Sequence, residues 1–505
     1  MVSPTGLTLA AAGLAAAIVA TAGCGLGREK PPRSDVILIS VDTLRADRLN
    51  SYGYRDRVVS PHLDALARDG LLFEKHISAS PWTTPSHMSL LTSLRPSAHG
   101  VTSSFGTLTQ RLEGGAEYDR LGEEHQTLAE ALRHSGRTTA AFTGGLTLDP
   151  RIGFGRGFES YDVSFFKMTE PRLQALESWT RSRREVPFFL FWHTFEVHAP
   201  YLDPTFLTQV LPTEKAARVA RSLADLRDRI EAGGSPQVWK GGLKAQRRLE
   251  SEGAFNREVC SALYDGGVRS ADAWIGRFLE TLKREHLYDR TLIVVTSDHG
   301  EQLGEEPGDE GGDKRDGRFF NAHGHTLYEE MLRIPLIIKL PDQRRAGTRV
   351  RQLSRAIDVM PTILDVLGVA VDARKLQGDS LRTLWEGSDG SEREALSESL
   401  STEQESKSLY SGRYKYILTV DADTVAERGR SFIPDRPASA ELYDLATDAG
   451  EKLNLLTDPS ADRLRQARLL EARLRRRVDE RRGRAERTQL TSETLEGLKA
   501  LGYVE

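Results

Sequence analysis

The sequence predicts an α/β protein, a doubly wound, mostly parallel sheet between helices, joined to a smaller α+β domain at the C-terminus. Three observations predict it. Five apolar runs of strand length are each followed by turn residues and then a helical pattern: Val36 to Val41, Thr138 to Phe142, Phe188 to Trp192, Leu292 to Thr296 and Ile334 to Leu340. At 505 residues the chain exceeds the size at which one hydrophobic core stops growing. After Asp372 its character changes, with polar, loop-like sequence from Glu386 to Thr402 and then strand-like Tyr414 to Val420 and Glu441 to Leu445. The boundaries that follow are 35–372 for the main domain, 373–458 for the small one and 459–505 for an Arg-rich helical segment.

With 39% hydrophobic and 28% charged residues and a mean hydropathy of −0.43, the chain reads as a globular protein, which excludes bulk disorder and a multi-span membrane protein. A net charge of −4 offers no global attraction to nucleic acid, and none is expected as a partner. The N-terminus stands apart. Gly6 to Ala22 is uncharged and apolar and leads into Thr21-Ala22-Gly23-Cys24, which resembles a bacterial lipoprotein signal. In that reading residues 1–24 are the signal, Cys24 is acylated, and 25–34 tether an exported protein to a membrane of the cell envelope. Cys260, the only other cysteine, then has no intrachain partner, so no disulfide framework supports the fold.

In a doubly wound sheet ligands gather at the carboxyl ends of the strands, so the polar residues just after each run matter most. Asp42 ends the first run; its carboxylate suits a cation there, and serves equally as a helix cap. In Trp82-Thr83-Thr84-Pro85-Ser86-His87, Pro85 suits the first turn of a helix through Met88 to Leu94. Thr83 then sits where unpaired N–H groups attract an oxyanion, or is a plain N-cap. His193-Thr194-Phe195-Glu196-Val197-His198 follows the third run and Ser297-Asp298-His299-Gly300-Glu301 the fourth. Carboxylate and imidazole together suit a divalent transition metal. With His323 and His325, these segments hold five of the 12 histidines, too many for scattered core or surface positions. The sequence from Pro204 to Asn256 reads as surface helices, and Gly304 to Gly317 as an acidic loop. From Ala461 to Arg487 an Arg-rich helix carries Leu464, Ala467, Leu470, Leu474 and Val478 as a stripe that docks on the main body.

From Ser34 to about Leu456 the chain resembles the sulfatase family of the alkaline phosphatase superfamily. The likeness rests on Val41-Asp42-Thr43-Leu44-Arg45-Ala46-Asp47, Thr83-Thr84-Pro85-Ser86-His87, His198-Ala199-Pro200-Tyr201, Asp298-His299-Gly300-Glu301 and their order. One departure bears on mechanism. Family sulfatases carry a Cys-x-Pro-x-Arg signature whose cysteine matures to formylglycine; here the matching residues are Thr83, Pro85 and His87. Threonine cannot be so converted, and Thr83 instead resembles the hydroxyl nucleophile of the superfamily's phosphoesterases and head-group transferases.

The resemblance implies an alkaline-phosphatase-like fold and two divalent metal ions, zinc foremost, with manganese, calcium or magnesium as alternatives. Asp42, Thr83, Asp298 and His299 match one metal shell. His325 matches the other, with Glu196 and His198 expected beside it and His323 a further candidate ligand. The alternative for His198 is a bond to the ester oxygens, and His87 is expected to hold Thr83 or the leaving oxygen. The implied activity is hydrolysis of a phosphate or sulfate ester of a small molecule, glycan or lipid through a Thr83-linked intermediate. The alternatives are a transferase passing a phosphoethanolamine-type head group to an acceptor, and a non-catalytic surface protein that binds glycan or lipid.

Overall fold

The computed structural model describes residues 34–102, 117–231, 257–304, 320–479 and 486–489, less short stretches at 166, 388–389, 401–403, 422, 425–432 and 435–436. The apolar leader with Cys24, residues 232–256 of the expected surface helices, and 305–319, most of the acidic loop, lie outside the described residues.

Among the described residues nine strands form the main sheet. They are β1 (Val36–Val41), β2 (Leu71–Ile77), β3 (Thr138–Phe142), β4 (Ser160–Asp162), β5 (Phe188–Thr194), β6 (Leu292–Thr296), β7 (Arg333–Ile334), β8 (Leu336–Lys339) and β9 (Thr348–Arg355). Their order is β7-β2-β8-β6-β1-β5-β3-β4, with β9 paired to β2. The stretch β6-β1-β5-β3-β4 is parallel throughout. All six residues of β1 are buried: Ile37, Ile39 and Val41 enter the core on one face, Val36 and Leu38 the core on the other. Burial on both faces is why this strand reads as an unbroken apolar run. The run Ile334 to Leu340, expected as a further strand of the parallel set, is instead two short antiparallel strands. Pro335 between them has no N–H to give to the ladder.

The small domain is an antiparallel meander of β10 (Glu394–Leu400), β11 (Gln404–Ser411), β12 (Tyr414–Asp421) and β13 (Ser439–Asp444). Helix Ala461–Asp479 lies on it. Here the expectation is corrected: Ala467, Leu470, Leu474 and Val478 pack against Leu409, Leu418 and Leu442 of the small sheet rather than the main body, and Leu464 is 39% exposed. An exposed apolar meander needs a cover, and this stripe supplies it. The helix is also shorter than expected, because Glu486–Gln489 is a strand that pairs with Glu117–Arg120 of the main domain. Leu470 is wholly buried. Leu470→Ala is therefore expected to lower unfolding stability by about 2–4 kcal/mol, read by denaturant titration; a loss within error would mean the helix contributes no core.

Candidate active site

Parallel pairing places Ser40 beside both His193 and Thr296, so the segments that leave β1, β5 and β6 begin side by side. Asp42, the loop 195–198 and Ser297-Asp298-His299 are brought together in this way. The turn after β1 is tight: Thr43 has φ 59, a left-handed conformation that strains a β-branched residue. Long-range bonds hold it there. The Thr43 N–H donates to Asp298 Oδ1 (3.2 Å), the Leu44 N–H to Ser297 Oγ (2.9 Å), and the Tyr264 hydroxyl to the Thr43 carbonyl (2.7 Å).

The helix expected to have Pro85 in its first turn and to run through Met88 to Leu94 spans Thr83–Thr92, so Thr83 is its first residue and not its N-cap. Trp82 holds the cap position and makes no side-chain cap bond, so the positive end of the helix dipole at Thr83 carries no side-chain cap. The Thr83 hydroxyl lies 3.2 Å from His299 Nε2. Its neighbours are committed elsewhere: Thr84 Oγ1 donates to the Thr147 carbonyl (2.9 Å) and Ser86 Oγ to the Asp298 carbonyl (2.7 Å). His87 sits one turn into this buried helix, donating from Nδ1 to the Thr83 carbonyl (2.9 Å) and accepting at Nε2 from Ser40 (2.9 Å). Of its two expected roles, it holds Thr83, through the main chain.

Asp42, Asp298 and His299 offer ligand atoms that all lie within 4.8 Å of one another, and all three are buried. The cluster fits a divalent cation. Asp42 Oδ1 and Asp298 Oδ2 are buried without a hydrogen-bond partner, an arrangement too costly for two carboxylates unless a cation satisfies them. His299 donates Nδ1–H to the Gly300 carbonyl (2.8 Å), which directs the Nε2 lone pair toward Asp298 and Thr83, as a ligand imidazole requires. Burial, then the Asp298 charge, pushes the Asp42 carboxyl well above its ordinary range. Burial opposes ionisation of Asp298 too, but His299, His87 and His193 outweigh it and hold that carboxyl low. Burial also pushes the His299 imidazole down.

The other expected ligands are placed differently. Glu196 stands outside the cluster: the Met168 N–H (2.9 Å) and the Ser270 hydroxyl (2.7 Å) each take one of its carboxylate oxygens. His325 donates from Nε2 to Gln302 Oε1 (3.1 Å). His198 donates from Nδ1 to the Ala199 carbonyl, so Nε2 carries its lone pair, and burial pushes it down to about 3. His323 donates from Nδ1 to Glu301 Oε1 (2.9 Å); burial pushes it down to about 4. Its ring centroid lies 4.6 Å from that of His299, 5.0 Å from that of His198 and 5.0 Å from that of Trp82.

Three functional residues went unassigned from sequence. His193 accepts at Nδ1 from the Gly144 N–H (3.2 Å) and donates from Nε2 to Asp42 Oδ2 (3.0 Å), so it turns Oδ1 toward the cation pocket. Its signal was a histidine inside a fully buried strand, which needs a partner there. Glu301 orients His323. Lys167 donates to the carbonyls of Phe195 (2.6 Å), Glu196 (3.1 Å) and His198 (2.7 Å), pinning the loop after β5. His193→Ala is expected to weaken divalent-metal affinity about 10–100-fold, the usual effect of losing an outer partner of a ligand. Titration by calorimetry checks this, and unchanged affinity would remove His193 from the site.

A cation pocket at the carboxyl ends of parallel strands, beside a hydroxyl on a helix N-terminus, defines an ester-transfer type of site. The comparisons agree with that class. A sequence model of the Sulfatase family matches residues 34–369, and the chain belongs to that family of hydrolases, within the alkaline phosphatase superfamily. It is 27% identical over 415 residues to the multifunctional alkaline phosphatase superfamily protein PehA of Trinickia caryophylli, covering 66% of this chain and 74% of that one. It is 22% identical over 469 residues to an ulvan-active sulfatase of Formosa agariphila, covering 90% and 82%. Among solved structures, the phosphonate monoester hydrolase of Agrobacterium radiobacter superposes with a TM-score of 0.58 at 21% identity, covering 88% of this chain and 96% of that one; the likeness is of fold.

Proposed function

We propose that the protein is a divalent-metal-dependent hydrolase of phosphate, phosphonate or sulfate esters with Thr83 as nucleophile. The observation that carries this reading is the Thr83 hydroxyl, 3.2 Å from a histidine of the Asp42, Asp298 and His299 cluster. A cation held by Asp42, Asp298 and His299 would lower the pKa of a nearby hydroxyl and neutralise charge on the transferring group. Thr83 Oγ1 attacks phosphorus or sulfur in line, loses its proton and becomes esterified; the alcohol leaves and takes a proton. Water then attacks the same centre and gives up a proton, Thr83 Oγ1 leaves as the regenerated hydroxyl, and the phosphate, phosphonate or sulfate is released. The positive end of the Thr83 helix dipole stabilises the non-bridging oxygens, and His87 fixes the main chain behind the nucleophile.

A second ion, as the family resemblance implies, belongs to the same reading. Glu301 Oε2 and His323 Nε2 are buried without a hydrogen-bond partner, the His323 ring lying 4.6 Å from that of His299, and these are the atoms such an ion would satisfy. Metal content of the purified chain decides between one ion and two, and parallel assays on aryl phosphate, aryl phosphonate and aryl sulfate decide the ester. No bound metal together with no turnover of any of the three would sink the enzyme reading in favour of a surface binding protein. Hydrolysis is preferred to head-group transfer on the names of the relatives above; product analysis with an added alcohol acceptor separates them. The reading also includes export and acylation of Cys24, supported by Thr21-Ala22-Gly23-Cys24. Detergent-phase partitioning that persists in Cys24→Ala would refute the lipid anchor.

A further inference from the structure

We infer that the seam between the two domains holds a binding site for a small tetrahedral oxyanion of the phosphate or sulfate type, separate from the Thr83 centre. A cavity of about 190 Å³ opens there. Arg95, Arg355 and Gln377 of the main domain and Glu394 and Arg477 of the small domain line it, which brings three guanidinium groups to one cavity, Arg355 paired with Asp358 and Asp379 and Arg477 with Glu394. The volume is small against the several hundred Å³ typical of drug-sized ligands, roughly 300–1,000 Å³, and suits an ion with a few waters.

The donors are held in place. Arg355 commits Nε and Nη2 to Asp358 and to Asp379 (2.7 Å), which leaves Nη1 to a further acceptor. Arg95 Nη2 donates to the Arg477 carbonyl (2.9 Å), tying the two domains, and Arg477 Nη2 reaches Glu394 at 3.4 Å. Gln377 Oε1 accepts the Arg95 N–H (2.8 Å), which fixes the carboxamide, and its Nε2 is buried with no acceptor. A buried amide donor without a partner beside converging guanidinium groups is a site that wants anionic oxygens. Arg95 follows closely on helix Thr83–Thr92, so an anion here would bind the nucleophile's helix to the small domain.

The test is the thermal unfolding midpoint of the purified chain titrated with inorganic phosphate and with sulfate against chloride at matched ionic strength, beside Arg477→Ala, Gln377→Leu and Asp298→Asn. A saturable rise is expected in the wild type and in Asp298→Asn, which disables the proposed cation pocket and leaves the seam intact. In Arg477→Ala and Gln377→Leu, each measured against its own chloride baseline, half-saturation is expected at about tenfold higher anion for the loss of one charge-assisted or buried donor. No saturable rise, an equal response in both seam variants, or a response lost only in Asp298→Asn overturns the proposal; the last places the anion at the active site.

Discussion

Thr83→Ala is expected to abolish covalent turnover, lowering kcat on the order of 10⁴-fold or more, the scale seen when a hydrolase loses its nucleophile. The neighbouring hydroxyls of Thr84 and Ser86 do not stand ready to replace it, because they are already hydrogen-bonded to the Thr147 and Asp298 carbonyls. The change removes a hydroxyl and a methyl group beside the cation pocket and leaves Asp42, Asp298 and His299 in place, so metal content should hold. Thr83→Ser keeps the oxygen and should retain a substantial part of the rate. The informative measurement is single-turnover release of the leaving alcohol, with metal content determined on the same samples. A fully active Thr83→Ala with normal metal would mean that water attacks the ester directly and that Thr83 only shapes the pocket.

How far the site was legible follows from where each residue sits. The runs at Val36, Thr138 and Leu292 coincide with strands because each lies inside a sheet packed on both faces, where burial alone dictates composition. Asp42, Thr83, Asp298 and His299 were legible because they follow strands or open a helix at the sheet's carboxyl edge. Where the other expected side chains point was not. Residue order places Glu196 near His198, yet the side chain turns to Met168 and Ser270, partners contributed by other segments. His193 was counted among the clustered histidines but given no role, because the strand runs on through Thr194 and only the pairing of β5 with β1 and the bond to Asp42 show what it reaches. The start of the Thr83 helix was misjudged for a local reason: two β-branched threonines have weak helix propensity, and tertiary burial overrides it. Helix Ala461–Asp479 showed its apolar face, but periodicity cannot say which sheet that face will cover.

Asp42→Asn is expected to separate stability from function. In the wild type the Asp42 carboxyl is pushed up by burial and by Asp298, so without a cation the pair is a source of strain. The asparagine keeps the shape and can still accept from His193 Nε2, while its amide nitrogen can donate to the unpartnered Asp298 Oδ2. In chelator the variant should therefore unfold at a temperature no lower than the wild type. With divalent metal the order reverses. The wild type gains about 2.7 kcal/mol when free metal reaches roughly 100 times its dissociation constant. The variant, short of a charged ligand, should bind at least about 100-fold more weakly, beyond the range for outer partners, and gain little. Ester turnover should fall with metal occupancy and recover in part at high metal concentration. A variant that unfolds much earlier in chelator would show Asp42 to be a structural acid, whereas one that binds metal normally would move the cation away from the Asp42, Asp298 and His299 cluster.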